Sequence, residues 1–525
     1  MDLYAPRFCS RGKGPISITR MEASVEVLAQ LSAVLMNTYN PSQDIRLLAE
    51  EQLQQFLNTP GSAQVLLALI GQRDAVARDL RLAAVLVFKN NINDFWRTEE
   101  KLATAKQSGI IIKTRALALE ERESAKGALL EIMLGETDNS MRKSVAEAVK
   151  KVSENDPPES TWSSLMPTLV QSMAGGGSIL NVYNAVVCAR GVMKRYEFSR
   201  ETRRNTLDSM IQLVFPQLQS LLITLQSQQT IETAALIHVS LKVFFSATSY
   251  SLPRGPGIDV GFWFSVLAAV INKPLPEASE GLEPAGQPTA PEERRAWPWW
   301  KAKKWATKIA CMFFPRYGNP KFSAEENEGF ATYFRDNVAL QLLGPMMNSL
   351  THKAQGGFIT DEVHRHCLSF IGTAVEVSKT YKVLKPHLSY LLGDVVLPSL
   401  CVSEDEVATF TDDPVEYIRK VHNIFDEFMD PRMQAQNVLQ TLARYRPKDA
   451  LPVTMTIIQV AREKCRNGSG PDATRLKDGI IVTVASIVRV RSPLFPPCLL
   501  PCPSLPLSSL FVGRSSMMKL SFRRF

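Results

Sequence analysis

The sequence predicts an all-α chain, an α-solenoid in which antiparallel helix pairs stack side by side into a superhelix. Three observations carry this. Apolar residues recur at helical spacing in one segment after another, with turn formers between them. The helices pair off at roughly 40 residues per pair, a two-helix repeat period. The 525 residues exceed one compact core, so several domains or a repeat array are expected. One pair cannot bury its apolar faces alone, so pairs must stack.

Residues 1–20 show no periodicity and many turn formers, and are expected to be an unstructured leader. Met21 is the expected natural start, because Met21-Glu22-Ala23-Ser24 opens a clear helix over Glu22–Asn37, with Val25, Leu28, Leu31, Leu35 and Met36 in register. Asn40 is expected to cap the next helix, Pro41–Leu57, with Pro at its first position and Gln43 three residues on. Ile45, Leu48, Ala49, Leu53, Phe56 and Leu57 share one face of it, which reads as a packed face. A second pair is expected over Gly61–Gln72 and Ala75–Ile92, and a third over Ile110–Met133 and Ser140–Val152. Ala75–Ile92 is apolar nearly all round, as befits the inner helix of a stacked pair. The spacing is that of HEAT repeats.

Residues 152–271 continue the array with helices over Trp162–Met173, Asn181–Arg195, Arg203–Leu225, Thr230–Thr248 and Phe262–Ile271. Gly175-Gly176-Gly177 reads as a turn, because no Gly-Lys-Ser/Thr follows to make a phosphate loop. Residues 272–296 are rich in Pro and Glu, with few large apolar side chains, and are expected to be a disordered acidic loop. Residues 297–479 return to helical text. Residues 480–525 hold six basic residues and no acid, with six prolines between Pro493 and Pro506. This segment is expected to be an aberrant, disordered basic tail at a truncated end.

The net charge of +8 invites a nucleic-acid reading, but its distribution removes the support. Between residues 21 and 479 there are 50 basic and 51 acidic residues, so the basic excess belongs to the two ends. The eight cysteines are scattered without a CxxC pair and read as reduced, buried thiols. No apolar run approaches the ~18 residues of a membrane span, and no secretory signal is present, so no membrane insertion is expected.

A search for reaction chemistry returns little. G-x-S-x-G, H-E-x-x-H and the P-loop are absent. His364-Arg365-His366-Cys367 is the one dense cluster of metal-ligand types, but residues two apart on a helix point to different sides. No metal, no cofactor and no enzymatic activity are expected. Trp299, Trp300 and Trp305 read as packing residues, with a tryptophan array for a basic partner segment as the alternative.

Four motifs carry a resemblance. AEEQLQQF followed by RLAAVLVFKNNINDFW resembles the N-terminal domain of the importin-beta (karyopherin-beta) superfamily, placed at about residues 44–120; Arg81, Ala84, Lys89, Asn90, Ile92 and Trp96 fit its pattern. Trp297-Pro298-Trp299-Trp300-Lys301-Ala302-Lys303-Lys304-Trp305 is similar to the importin seven/eight branch, as are Asp413-Pro414-Val415-Glu416-Tyr417-Ile418-Arg419 and Arg475-Leu476-Lys477-Asp478-Gly479. The resemblance covers about residues 22–479. It implies a nuclear transport receptor of the cytoplasm, nucleus and nuclear pore, acting as a monomer. Its implied partners are Ran-GTP on the repeats of residues 21–151, phenylalanine-glycine nucleoporins, and protein cargo of the ribosomal-protein or histone kind. By position on the inner helices, Ran contact is expected at Glu51, Gln55, Asn90, Asn91, Asp94, Lys143 and Glu147. The alternative is a HEAT scaffold subunit of a non-transport complex, which leaves the four motifs unexplained.

Overall fold

A computed structural model describes residues 24–98, 107–108, 114–174, 177–198, 201–253, 258–275, 286–319, 327–421, 430–468 and 470–491. The leader and the tail beyond 491 lie outside them, as do residues 276–285 of the acidic loop. Every element among the described residues is helical. The chain divides into two compact units, Met1–Phe262 with Gly281–Gly286, and Trp263–Glu280 with Gln287–Phe525.

In the first unit, α1 (Val25–Asn37) is capped by Ser24, whose side chain accepts from the Val27 amide. Its Leu28, Leu31 and Leu35 are buried. The next helix, α2 (Gln43–Leu57), starts later than expected, with Ser42 at its N-cap. Asn40 caps the preceding turn instead, its Oδ1 accepting from the Ser42 amide at 3.0 Å. The expected packed face of α2 is only partly so. Ala49 and Leu57 are buried, but Ile45, Leu47 and Leu48 are exposed, because α2 packs chiefly on α1 while α1 also leans on α4.

Gly61 turns the chain into α3 (Ser62–Gly71) at φ 90°, a left-handed conformation that disfavours a side chain. After α4 (Arg78–Phe95) comes a correction. The helix expected from Ile110 begins only at Leu119, as α5 (Leu119–Gly135). Residues 110–113 lie outside the described ones, and Thr114–Ala118 are not helical. Leu117 is held there by donating its amide to Phe95 O at 2.8 Å. Glu121 then closes the helix start, accepting from the Ala118 amide at 3.0 Å and pairing with Arg115 at 2.5 Å.

Asp138 caps α6 (Asn139–Asn155), accepting from the Ser140 and Met141 amides. Val145, Ala148, Val149 and Val152 form its buried face. The unit continues through α7 (Leu165–Ala174), α8 (Ile179–Lys194), α9 (Glu201–Leu225) and α10 (Ile231–Thr248). Helices α4, α6, α8 and α10 pack in sequence as one layer, and α1, α3 and α5 as part of the other. Contrary to expectation, α10 is long and apolar enough to cross a membrane. Two thirds of that stretch is buried inside the protein (67%), with Thr233, Ser240, Ser246 and Thr248 among the buried residues, as in a core helix.

α11 (Val260–Asn272) leads into the second unit, where Trp263 and Phe264 are buried. The acidic loop is shorter than expected. Gln287 is buried, and α12 (Pro291–Ala296) has Pro at its first turn with Glu292 and Glu293, and Arg294 and Arg295 in its last, each charge suiting the helix dipole. α13 (Pro298–Phe313) continues into a π turn at Phe314–Gly318. α14 (Glu328–Tyr333) runs through a second π turn, Phe334–Val338, into α15 (Ala339–Ala354). Rings of Phe313 and Phe334 meet Phe264 edge-on at 5.0 and 5.3 Å. α16 (Asp361–Glu376) and α17 (Ser378–Leu384) follow, and the chain then passes through α18 (Leu388–Tyr390), a π segment at Leu391–Val396 and α19 (Leu397–Leu400). A short hairpin, α20 (Glu404–Asp412) and α21 (Pro414–Val421), precedes α22 (Pro431–Tyr445) and α23 (Pro447–Asn467).

The last described helix, α24 (Pro471–Arg491), corrects the expectation of disorder from residue 480. Its inward face is made of Gly479, Thr483 and Ser486, at helical spacing but small or hydroxylated. A pattern search for large apolar side chains passes over such a face. Helices α13, α16, α22 and α24 pack in sequence as one layer of this unit.

Candidate protein-binding surface

The clearest construction in the first unit is the junction between α4 and α6. The two helices run in the same direction, joined by side chains about one and a half repeats apart in sequence. Arg78 pairs with Asp138 at 3.1 Å near one end. Trp96 Nε1 donates to Asp156 Oδ2 at 2.9 Å at the other. Between them Lys151 Nζ donates to Lys89 O at 3.4 Å, and Asn155 Nδ2 to Asn93 Oδ1 at 3.4 Å. Val85, Phe88, Ile92, Val145, Val149 and Val152 are fully buried in these two helices.

Two buried charge clamps tie this layer to the rest. Arg81 forms an ion pair with Glu136 and donates through Nε to Ile70 O at 2.7 Å. One side chain thereby binds the end of α3, its own helix and the turn before α6. Lys126 pairs with Asp156 at 2.7 Å and donates to Thr161 O at 3.3 Å. Burial pushes the Glu121 carboxyl up, but the Arg115 guanidinium and the Ala118 and Gly61 amides outweigh it and leave the group below its ordinary value. Backbone amide donation from Met141, then the Arg78 guanidinium, holds Asp138 low as well.

The motif residues of α4 divide accordingly. Arg81, Ala84, Ile92 and Trp96 are buried and build the junction, whereas Asn90 is exposed. Asn91 is half-buried and donates to Val87 O at 2.8 Å. Asp94 is half-buried and meets Arg97 at 3.4 Å. On α6, Lys143 is exposed, and Glu147 is half-buried and paired with Lys150 at 3.0 Å. On α2, Glu51 and Gln55 are exposed and share a 3.4 Å hydrogen bond.

The structure brings Lys89 and Asn93 of α4 against Lys151 and Asn155 of α6, whereas Asn90, Asn91 and Asp94 share those turns of α4 without a recorded contact to α6 among the described residues. Lys143 stands eight residues before Lys151 on α6, about 12 Å along the axis, opposite the earlier part of α4. Glu51 and Gln55 belong to a helix that packs mainly on α1. Lys151, Asn93 and Asn155 were not singled out from the sequence. The signal that finds them is the constant offset of about 60 residues between paired positions on α4 and α6.

In the second unit the tryptophan motif is structural. Trp299 and Trp300 are 2% and 3% exposed. Trp300 Nε1 donates to Gln287 Oε1 at 3.0 Å. The chain's own lysines cover the rings: Lys273 lies 4.6 Å from the Trp299 centroid and Lys308 4.6 Å from that of Trp305. Lys303 donates to Ile271 O at 2.6 Å, and burial pushes its amine down to about 8. His366 Nδ1 is 3.1 Å from Thr307 Oγ1, whereas His364 Nε2 is 3.2 Å from Ser399 Oγ, so the two rings face different helices. Burial lowers His364 to about 4 and His366 to about 3, leaving both neutral. Among the described residues no group of three or more His, Cys, Asp or Glu is placed to hold a metal ion.

Helix pairs clamped to their neighbours by buried side chains define a HEAT-type α-solenoid. Residues 49–134 match the importin-beta N-terminal domain. The chain is 27% identical over 457 residues to the importin beta-like SAD2 homolog of Arabidopsis thaliana, covering 86% of this chain and 42% of that protein. It is 27% identical over 432 residues to importin-8 of Danio rerio, covering 80% and 40%. Among solved structures, the exportin Cse1 in its cargo-free, cytoplasmic state matches with a TM-score of 0.61 at 15% identity, over 88% of this chain and 47% of that one. These matches support the importin-beta superfamily for this chain. It spans about two fifths of the length of these curated relatives.

Proposed function

We propose that the chain is a nuclear transport receptor, an importin, that binds GTP-loaded Ran through its N-terminal repeats and carries protein cargo through the nuclear pore. It works in the cytoplasm, the nucleus and at the pore, where its partners include phenylalanine-glycine nucleoporins. The observation that supports this best is the match of residues 49–134 to the importin-beta N-terminal domain, a stretch that holds a helix junction built on buried Arg81, Ala84, Ile92 and Trp96, with Asn90 left exposed. We place the Ran contact on the last turns of α4, at Asn90, Asn91 and Asp94, and on Lys151 of α6. Lys143, Glu147, Glu51 and Gln55 extend it along the neighbouring turns. A helical array offers a long surface for enveloping a partner. Cargo and Ran binding then oppose each other by linkage, each lowering the affinity of the chain for the other by one common factor.

The test is retention of the full chain on immobilised Ran loaded with GTP or with GDP. At least tenfold preference for the GTP state is expected, with Asn90→Ala/Lys151→Ala reducing it and the helix content unchanged. Equal retention on both forms, or none on either by a folded chain, overturns the reading.

A further inference from the structure

The layer formed by α4, α6 and α8 carries more positive charge than its own acids neutralise. α8 and the residue after it hold Arg190, Lys194 and Arg195 and no acid, while α6 holds four basic residues against Glu147 and Glu154. Glu147 is taken by Lys150 at 3.0 Å. The cations in the grooves between the helices are held by backbone carbonyls instead. Lys151 donates to Lys89 O at 3.4 Å across the α4–α6 groove. Arg195 donates to Ser153 O at 2.8 Å and to Glu154 O at 3.5 Å across the α6–α8 groove. Arg190 lies one turn before Lys194, half-buried, and its Nε is buried with no hydrogen-bond partner among the described residues. Burial works against its charge, and Glu197 offsets that only in part. Among the described residues none of Lys89, Lys151, Arg190, Lys194 and Arg195 forms an ion pair with a carboxylate.

The charge and its spacing define the occupant. Helices packed side by side in one layer lie about 8–10 Å apart, and an extended chain advances ~3.3 Å per residue. A chain crossing the helices therefore meets a new one at every third residue. Lys89, Lys151 and Lys194 stand at corresponding levels. Lys151 reaches Lys89 directly, and Arg195, next to Lys194, reaches α6 just beyond Lys151. Carboxylates three residues apart meet these cations in turn. The carbonyl bonds hold Lys151 and Arg195 in place beforehand, so less side-chain freedom is lost on binding. A nucleic acid fits less well. Single strands are bound by stacking bases on open aromatic faces, and the single aromatic residue of α8, Tyr183, has Arg142 over its ring at 5.1 Å.

We propose that α4, α6 and α8 bind an extended acidic segment of a protein partner, with Asp or Glu at every third position, laid across the three helices. Its carboxylates pair in turn with Lys89, Lys151 and Lys194. Arg195 adds a lateral contact, and Arg190 gains the carboxylate partner that its half-buried guanidinium lacks. The surface shares Lys151 with the Ran contact proposed above but draws its other charge from Lys89 and from α8, which carries no position placed against Ran. It therefore goes beyond that reading and does not rest on it.

The test is the fluorescence anisotropy of a labelled peptide, Gly-Ser-Glu repeated four times, titrated with the full chain in the absence of Ran. Saturable binding is expected at about 50 mM NaCl, weakened at least fivefold at about 0.3 M. Arg190→Gln/Lys194→Gln is expected to weaken it at least fivefold with the melting curve unchanged. Arg462→Gln/Lys464→Gln, at exposed positions of α23, is expected to change it less than twofold. A peptide of the same composition with its four glutamates contiguous is expected to bind at least threefold less tightly. No saturable binding, equal binding of the contiguous peptide, binding indifferent to Arg190→Gln/Lys194→Gln, or tighter binding of an oligothymidylate of equal length overturns the proposal. Ran is absent throughout, so none of these outcomes bears on its nucleotide-dependent retention.

Discussion

Replacing Arg81 by Met isolates the clamp between the second and third helix pairs. Glu136 is 0% exposed and Arg81 4%. The substitution keeps an unbranched apolar stem out to the position of Nε and removes the guanidinium, so a buried carboxylate loses its ion-pair partner. Its remaining bond is to the Asp138 amide at 2.9 Å. Ile70 O also loses the donor that reaches it at 2.7 Å. Breaking a buried pair from one side costs about 3–5 kcal/mol, because the desolvated charge is left behind. For a unit of this size that is a fall in melting temperature of roughly 6–20 °C. The double variant Arg81→Met/Glu136→Gln removes the orphaned charge and is expected to regain more than half of the loss. Urea unfolding followed by circular dichroism, with hydrogen exchange of the α4 and α6 amides as a local readout, measures both. The buried pair is shielded from salt, so the effect persists at 0.5 M NaCl. A single variant within about 1 kcal/mol of the parent, or a double variant no more stable than the single, refutes the account of this junction.

Three further outcomes follow from the packing. His364 and His366 are lowered to about 4 and about 3 by burial, while the unfolded chain keeps about 6.5. Their contribution is whole above pH 6.5 and is lost as pH falls towards the folded values, by up to ~1.4 kcal/mol per pH unit for each histidine; urea midpoints at pH 7.5 and 5.5 should diverge less in His366→Gln than in the parent. Trp96→Phe deletes the indole donor to Asp156 and part of a buried ring, which should cost about 2–3 kcal/mol by the same unfolding assay. Gly479→Ala places a methyl 2.5 Å from Cys401 Sγ, so about 1–3 kcal/mol of destabilisation is expected, with Cys401→Ala restoring most of it.

The repeat architecture was legible because most helices bury large aliphatic faces at a steady spacing, as α6 does with Val145, Val149 and Val152. Ends were harder. Thr114–Ala118 look like helix text, yet Glu121 folds back on the Ala118 amide and forbids an earlier start. Helix α24 escaped the reading past Gly479 because glycine, threonine and serine face inward while Ile481, Val484 and Val488 face out. The face of α2 was over-read, since apolar spacing says which side chains align and not whether a neighbour arrives. At the candidate surface, the sequence placed Asn90 and Lys143 on two helices, as they are in α4 and α6, but could not supply the register between the two. That register depends on Arg78–Asp138 and Trp96–Asp156, pairs 60 residues apart.

One buried cysteine in each of the two units gives that unit an internal clock. Cys188 in the first and Cys367 in the second are buried, and burial pushes both up to about 12. Almost no thiolate exists while either unit is closed, so alkylating reagents pass them by. Once a unit opens, its sulfur returns to ordinary acidity and is captured within the reagent's own reaction time. Pulses of iodoacetamide during denaturation therefore timestamp the opening of the two halves separately, without any label having been introduced.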